Sequence, residues 1–400
     1  MARTRDMHDA PGGRRPNTPG IVNGTNLGNW LVLEKWMKPD LFPAGVDDEI
    51  WMHRILSADR LEALLAHHRD TYITEADFKA IAAHGLDLVR IPVPYFVFGD
   101  RDGHPGCISH LDKAFDWAER YGLRVLVDLH TVPGSQNGYD NGGLTGVCKW
   151  CRNPEEVEFA LTVLERLARR YAHRDGLYGI EVLNEPISWM VYVTAPSTGR
   201  ARDKNEAKGS GHVPLRFLKD FYRDAYRRLR AVLPEDKTIV FHDGFRLGAW
   251  KDFFVREGMT NVALDTHIYI TAMQMFVPIH AGWVSRLFIA WNRRSIRRAA
   301  RYTPVMVGEW NIETAQALDA ARRVSPADPD SPDGERARRD VYRRNALRQK
   351  AAWEESLGHI YWNYKMDGSP TSRALRADNG DSLDAWDLTR VWDHDWMDER

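Results

Sequence analysis

Eight short runs rich in β-branched and aromatic residues punctuate the 400-residue chain, with stretches of helical apolar spacing between them. The runs are Ile21–Leu31, Asp87–Val93, Arg124–Thr131, Tyr178–Pro186, Thr238–Phe245, Val262–Tyr269, Val305–Ile312 and His359–Asp367. Helical spacing appears over Glu75–His84, Leu111–Tyr121, Glu155–Tyr171, Leu215–Leu233, Ile279–Arg301 and Arg336–Ser356. Parallel strands cannot be joined by tight hairpins, so the helices serve as crossovers, and eight strands joined this way close a (β/α)₈ TIM barrel. Apart from this alternation there is no self-similarity at roughly 20–50 residues, which argues against a solenoid. The expected organisation is one α/β domain over residues 21–400, preceded by a flexible N-terminal arm, residues 1–20.

Composition narrows the function. A formal net charge of -1 provides no field that would gather phosphate backbones, so nucleic acid is not an expected partner and a small neutral ligand is. No run of about 18 apolar residues is present, so no membrane partner is expected. The N-terminal arm has no apolar core of the secretory type, and three cysteines make no disulfide framework, so the cytoplasm is the expected compartment. Fifteen tryptophans supply ring faces of the kind that stack on sugars. Oligomeric state is left open.

Long connections follow several strands, at Phe42–Thr71, Phe96–Ser109, Trp189–Val213 and Glu313–Gly334, and in a barrel such loops wall the catalytic face. Residues 194–211 are polar and Gly-rich and read as mobile, either a lid or plain surface chain. Cys148 and Cys151 share one loop and Cys107 lies in another, so the three are able to approach one another. A zinc site would also need His104 or His110, and the spacing favours no metal. The basic, apolar stretch Ile279–Arg301 reads as a crossover helix in preference to a membrane-surface one.

Two carboxylates stand out. Glu185 ends the fourth run, within Gly179–Pro186, and Glu309 ends the seventh, within Val305–Asn311. Strand ends of a closed barrel share one mouth, and a glutamate in an apolar run is costly to bury without a purpose. Two such groups about 5–5.5 Å apart are what hydrolysis of a glycosidic bond with retention needs.

From Asn23 to Asp367 the chain resembles glycoside hydrolase family 5, whose eight recurring site residues are met at Arg90, His130, Asn184, Glu185, His267, Tyr269, Glu309 and Trp362. The resemblance implies Glu185 as acid/base and Glu309 as nucleophile, with no cofactor. It implies further that Arg90 and Tyr269 hold Glu309, that His267 contacts the acid/base region, and that His130 and Asn184 meet sugar hydroxyls. Trp362 would floor the cleavage subsite.

Residues 24–36 and 133–143 resemble the exo-β-1,3-glucanase branch of that family. There the match to Glu34 grips outer hydroxyls of the terminal sugar, with Asp140 and Asn141 assisting and Tyr139 stacking on the next unit. The implied substrate is an oligosaccharide or β-glycoside losing single terminal units. The chain departs from the branch at Ala272, where those enzymes carry a phenylalanine, and Phe276 is the candidate substitute. A β-mannosidase acting on small glycans and a catalytically inactive carbohydrate-binding barrel are the rival readings.

Overall fold

The computed structural model describes residues 22–101, 103–277, 281–366 and 383–397, without the side chains of Met275 and Phe276. The N-terminal arm and the Phe276 substitution therefore lie outside what is described. Eight parallel strands close a barrel in sequential order, with β1 paired to both β2 and β8. They are β1 Val22–Asn26, β2 Leu88–Val93, β3 Arg124–Leu129, β4 Leu177–Glu181, β5 Thr238–His242, β6 Val262–Ile268, β7 Val305–Trp310 and β8 Gly358–Tyr361. Each expected run coincides with one strand, with β4 and β8 starting one residue earlier and several strands ending sooner than the apolar pattern.

All six expected helices form, with shifted ends, at Glu75–Ala83, Ile108–Arg120, Pro154–Tyr171, Leu215–Arg230, Gly282–Ala299 and Pro332–Trp353. The connection Phe42–Thr71 is not an open loop. It folds into helices Glu49–Ile55 and Ala58–Thr71, whose Leu61 and Leu65 join Leu33 and Met52 in a small core. Among the described residues no helix is long and apolar enough to cross a membrane.

The barrel interior is layered. One side chain from each strand, Val22, Leu88, Leu126, Tyr178, Val240, Ala263, Met306 and Ile360, fills the N-terminal end with apolar volume. Alternation at a period of two then brings Arg90, Asp128, His242 and Asp265 inward one layer higher. Two register shifts bring further carboxylates inward. The first, between β3 and β4, sets Glu181 opposite Asp128. The second, between β6 and β7, sets Glu309 opposite His267. Such bulges re-aim side chains near sites.

Gly308 is the extra residue of the second shift. A Cβ there would lie 1.9 Å from Asp265 Oδ2, and the Gly308 amide donates to Asp265 Oδ1 at 2.6 Å. No other residue type leaves room for that carboxylate.

Candidate active site

Glu309 leaves β7 with each oxygen engaged. Arg90 Nη1 donates to Oε1 at 2.9 Å and the Tyr269 hydroxyl to Oε2 at 2.6 Å. Burial raises the Glu309 carboxyl above its ordinary range, and the charges of His267 and Arg90 pull against it.

Arg90 has no exposure to water and is the hub beneath the mouth. Its Nε donates to Glu181 at 2.7 Å, its Nη1 also to Asn26 at 2.9 Å, and its Nη2 to Asn184 at 3.0 Å, with Asp128 3.1 Å away. Burial works to neutralise the guanidinium, but the charges of Asp128, Glu181 and Glu309 outweigh it and hold its pKa well above the usual value. Asn26 in turn donates to the carbonyls of Gly308 and Tyr361, tying β1 to β7 and β8.

Glu185 does not end its strand as expected. β4 stops at Glu181, and Glu185 lies four residues on with φ 44°, in the left-handed region that a side chain adopts at a cost of about 1–3 kcal/mol. Gln136 holds this turn by donating to the carbonyls of Asn184 and His130 at 2.9 and 2.8 Å, while accepting from the Ile187 amide through its own carbonyl. The strained turn brings the Glu185 carboxylate to His267 Nδ1 at 2.8 Å and to Asn141 Nδ2 at 2.8 Å.

His267 joins the two carboxylates. Its Nδ1 lies 2.8 Å from a Glu185 oxygen and 3.3 Å from a Glu309 oxygen, so those oxygens are at most about 6 Å apart. Its Nε2 faces Asp265 at 3.4 Å. Burial favours the neutral ring, yet Glu309 and Asp265 prevail and hold the imidazole well above its ordinary range. Burial also acts to raise Glu185, but the hydrogen bond and charge of His267 dominate and leave it below the usual range.

His130 Nδ1 meets Asp128, its Nε2 faces Asn184 Nδ2 at 3.3 Å, and its ring stacks on Trp362 at 5.8 Å. Trp362 packs against Gly28, where an added Cβ would lie 2.9 Å from the indole. Glu34 is buried nearby and accepts from the Trp36 indole at 2.8 Å. Burial, then the charge of Asp140, raises its carboxyl well above the ordinary range, with Glu309 and Glu185 adding to the effect. All twelve expected positions thus gather around one mouth, but Asn141 differs from expectation by donating to Glu185 itself.

Residues 194–211 are anchored. The Tyr139 hydroxyl donates to the Ala195 carbonyl at 2.9 Å, Ser197 and Ala201 are buried, and Arg54 pairs with Glu206 at 2.8 Å. Glycines 138 and 146 allow the approach, since Cβ atoms there would meet Ser197 and Ala201. The segment is a wall behind Tyr139. The cysteines do not converge into a ligand set either: among the described residues, the metal-ligating groups that crowd together are Glu185, His242 and His267, and Glu181, Asp265 and His267.

Sequence reasoning missed Asn26, Asp128, Glu181, Asp265 and Gln136. Two of these carried a signal, because Asp128 and Asp265 stand two residues before His130 and His267 and therefore share their faces.

The family model described as Cellulase (glycosyl hydrolase family 5) matches residues 59–366. The chain belongs to glycosyl hydrolase family 5. This family 5 glycoside hydrolase is 37% identical over 305 residues to a protein of Emericella nidulans named "Probable glucan 1,3-beta-glucosidase A", covering 72% of this chain and 66% of that one. It is 31% identical to the glucan 1,3-beta-glucosidase 1 of Schizosaccharomyces pombe, covering 88% and 84%. In fold it is similar to the rutinosidase of Aspergillus niger, with a TM-score of 0.70 at 22% identity, covering 94% of this chain and 98% of that one.

Proposed function

We propose that this hydrolase is a retaining, exo-acting β-glycosidase that removes terminal glucose from short β-linked oligosaccharides, with Glu309 as nucleophile and Glu185 as acid/base. The observation that carries the reading is the single His267 nitrogen touching both carboxylates. It holds one oxygen of each acid within about 6 Å of the other, which supports the short separation of ~5–5.5 Å between carboxyl groups that retention uses. Glu34 and Asp140 support exo action, because carboxylates at the mouth suit the outer hydroxyls of a terminal unit. The names of the fungal relatives support β-1,3-linked glucose. Three free cysteines support work in a reducing cytoplasm.

In the proposed reaction Glu309 attacks the anomeric carbon as the bond to the leaving oxygen breaks, and Glu185 gives that oxygen a proton. Water then attacks the glycosyl ester, Glu185 takes the water's proton, and the Glu309 carboxylate is released. The proton for the first step rests on His267, 2.8 Å from Glu185. A glycosidic oxygen displacing Asn141 from Glu185 removes one stabilising donor, which favours passing that proton to the carboxylate.

Hydrolysis of p-nitrophenyl β-glucoside and β-mannoside, measured side by side and followed by a β-1,3-linked glucose trimer, tests the reading. The expected result is glucoside cleavage with release of single glucose units and retained anomeric configuration. Preference for mannoside, an inverted product, or sugar affinity without turnover would each overturn it.

A further inference from the structure

Every connection between consecutive strands carries a helix of seven residues or more, except that between β5 and β6, which has a single turn at Phe253–Arg256. The ring of helices is therefore thin behind these two strands. A cavity of about 770 Å³ occupies the gap, between the loop Asp243–Lys251 and helix Gly282–Ala299. Thr266 and Ile268 line it, and by alternation they face away from the barrel interior. The imidazole of His267 between them has no exposed surface, so β6 itself separates the cavity from the carboxylates.

The cavity is basic and aromatic. Phe245, Trp291 and Tyr302 contribute ring surfaces, and Arg246, Lys251, Arg298 and Arg301 surround them. Arginines elsewhere on the surface are commonly paired, as Arg170 with Asp112 and Arg228 with Glu158. Among the described residues, Lys251, Arg298 and Arg301 have no acidic partner. Arg246 donates through Nη1 to the Val213 carbonyl at 3.1 Å, whereas its buried Nε and Nη2 have no partner. The charge that an anion in the cavity would meet is supplied by Lys251, Arg298 and Arg301, which line it and are exposed.

The carboxylate in the lining, Asp243, makes no hydrogen bond to these cations, and its charge acts on Arg246 alone among them. It accepts from Thr266 Oγ1 at 3.0 Å and from the Phe245 amide at 2.6 Å. That second bond holds Phe245 at φ 58°, a strained backbone of the kind that persists at binding sites.

We propose that this cavity binds an acidic sugar, one carrying a carboxylate or a phosphate, at a site separate from the catalytic mouth. The ring faces stack on the sugar's CH surfaces and the guanidinium groups take its charge. The volume suits one or two sugar units.

Calorimetric titration of the wild-type enzyme with glucuronate, glucose 6-phosphate, glucose and inorganic phosphate tests the assignment, with an R298E/R301E double variant and a W291A variant alongside. Binding of one or both acidic sugars is expected, and the acid that binds identifies the charged group. The double variant should bind roughly tenfold or more weakly. W291A should weaken the acidic sugars but not inorganic phosphate, and both variants should keep wild-type hydrolysis of p-nitrophenyl β-glucoside. Absence of acidic-sugar binding would overturn the proposal, as would affinity unchanged by charge reversal, which would locate the ligand in the mouth. Inorganic phosphate binding as tightly as glucose 6-phosphate would overturn the sugar assignment. The binding measurements do not depend on turnover, so failure here is distinguishable from failure of the glycosidase reading.

Discussion

Arg90 donates through Nε to Glu181 at 2.7 Å, and both side chains are shut away from water. Glu181 and Asp128 thus hold the guanidinium from below, leaving Nη1 to serve Glu309. Replacing Arg90 with Met leaves three buried carboxylates without their cation. The expected cost is about 3–5 kcal/mol of stability, read as a lower midpoint of chemical denaturation at unchanged m-value. A loss of activity with full stability would show that the hub acts on chemistry alone.

Glu309→Gln removes the proposed nucleophile, and turnover should vanish on every substrate. Glu185→Gln should reduce turnover of natural oligosaccharides by roughly 10²–10⁴-fold, the usual contribution of a general acid. The same variant should still release nitrophenolate in a first-turnover burst, because that leaving group needs no proton. Rapid mixing would reveal the burst. A full steady-state rate in either variant would refute the assignment.

The pH profile follows from directions already assigned. Glu309 is raised by burial, so activity should begin to fall on acidification at a pH above that of an ordinary carboxylate. His267 lowers both Glu185 and Glu309. Replacing His267 with Gln therefore raises both carboxyl groups. The nucleophile then ionises later, and the proton that His267 held for the acid step is gone, so the acidic limb of the kcat/KM profile should move to higher pH and the basic limb to lower pH. Limbs that stay in place or move apart would contradict this sharing.

A buried carboxyl remote from the reacting atoms gives a stability test. Glu49 accepts from the Leu33 amide at 3.1 Å, and burial raises its pKa to about 7. Its unfolded value is about 4.3. The folded state binds the proton more tightly, so this contribution is fully present below the unfolded value and is lost as pH rises through about 7. Glu49→Gln should keep the acceptor and remove the titration. Its thermal midpoint should fall less than the wild type's between pH 5 and 8, by an amount equivalent to on the order of 2 kcal/mol. Parallel curves would show that Glu49 does not titrate in this window.

The eight strands were legible because both barrel faces are buried, which forces apolar runs such as Val125–Leu129 and Val305–Val307. The proposed catalytic pair was legible from strand order and family resemblance. Its support was not. Glu309 faces inward three residues after inward Met306, a spacing that strict alternation forbids and the Gly308 shift creates. Glu181 was passed over for the same reason, since its inward direction depends on the shift between β3 and β4. The packing of residues 194–211 was hidden because Gly138 and Gly146 supply the space for it from a distant loop.

The thin coat behind β5 and β6 leaves the rear of the strand bearing His267 approachable from outside the molecule. Any small shift of β6 there would alter how far the imidazole stands from its two acids, without anything entering the mouth. A change at Thr266 or Ile268, the outward neighbours of His267 within β6, can therefore tune proton delivery from behind the mouth.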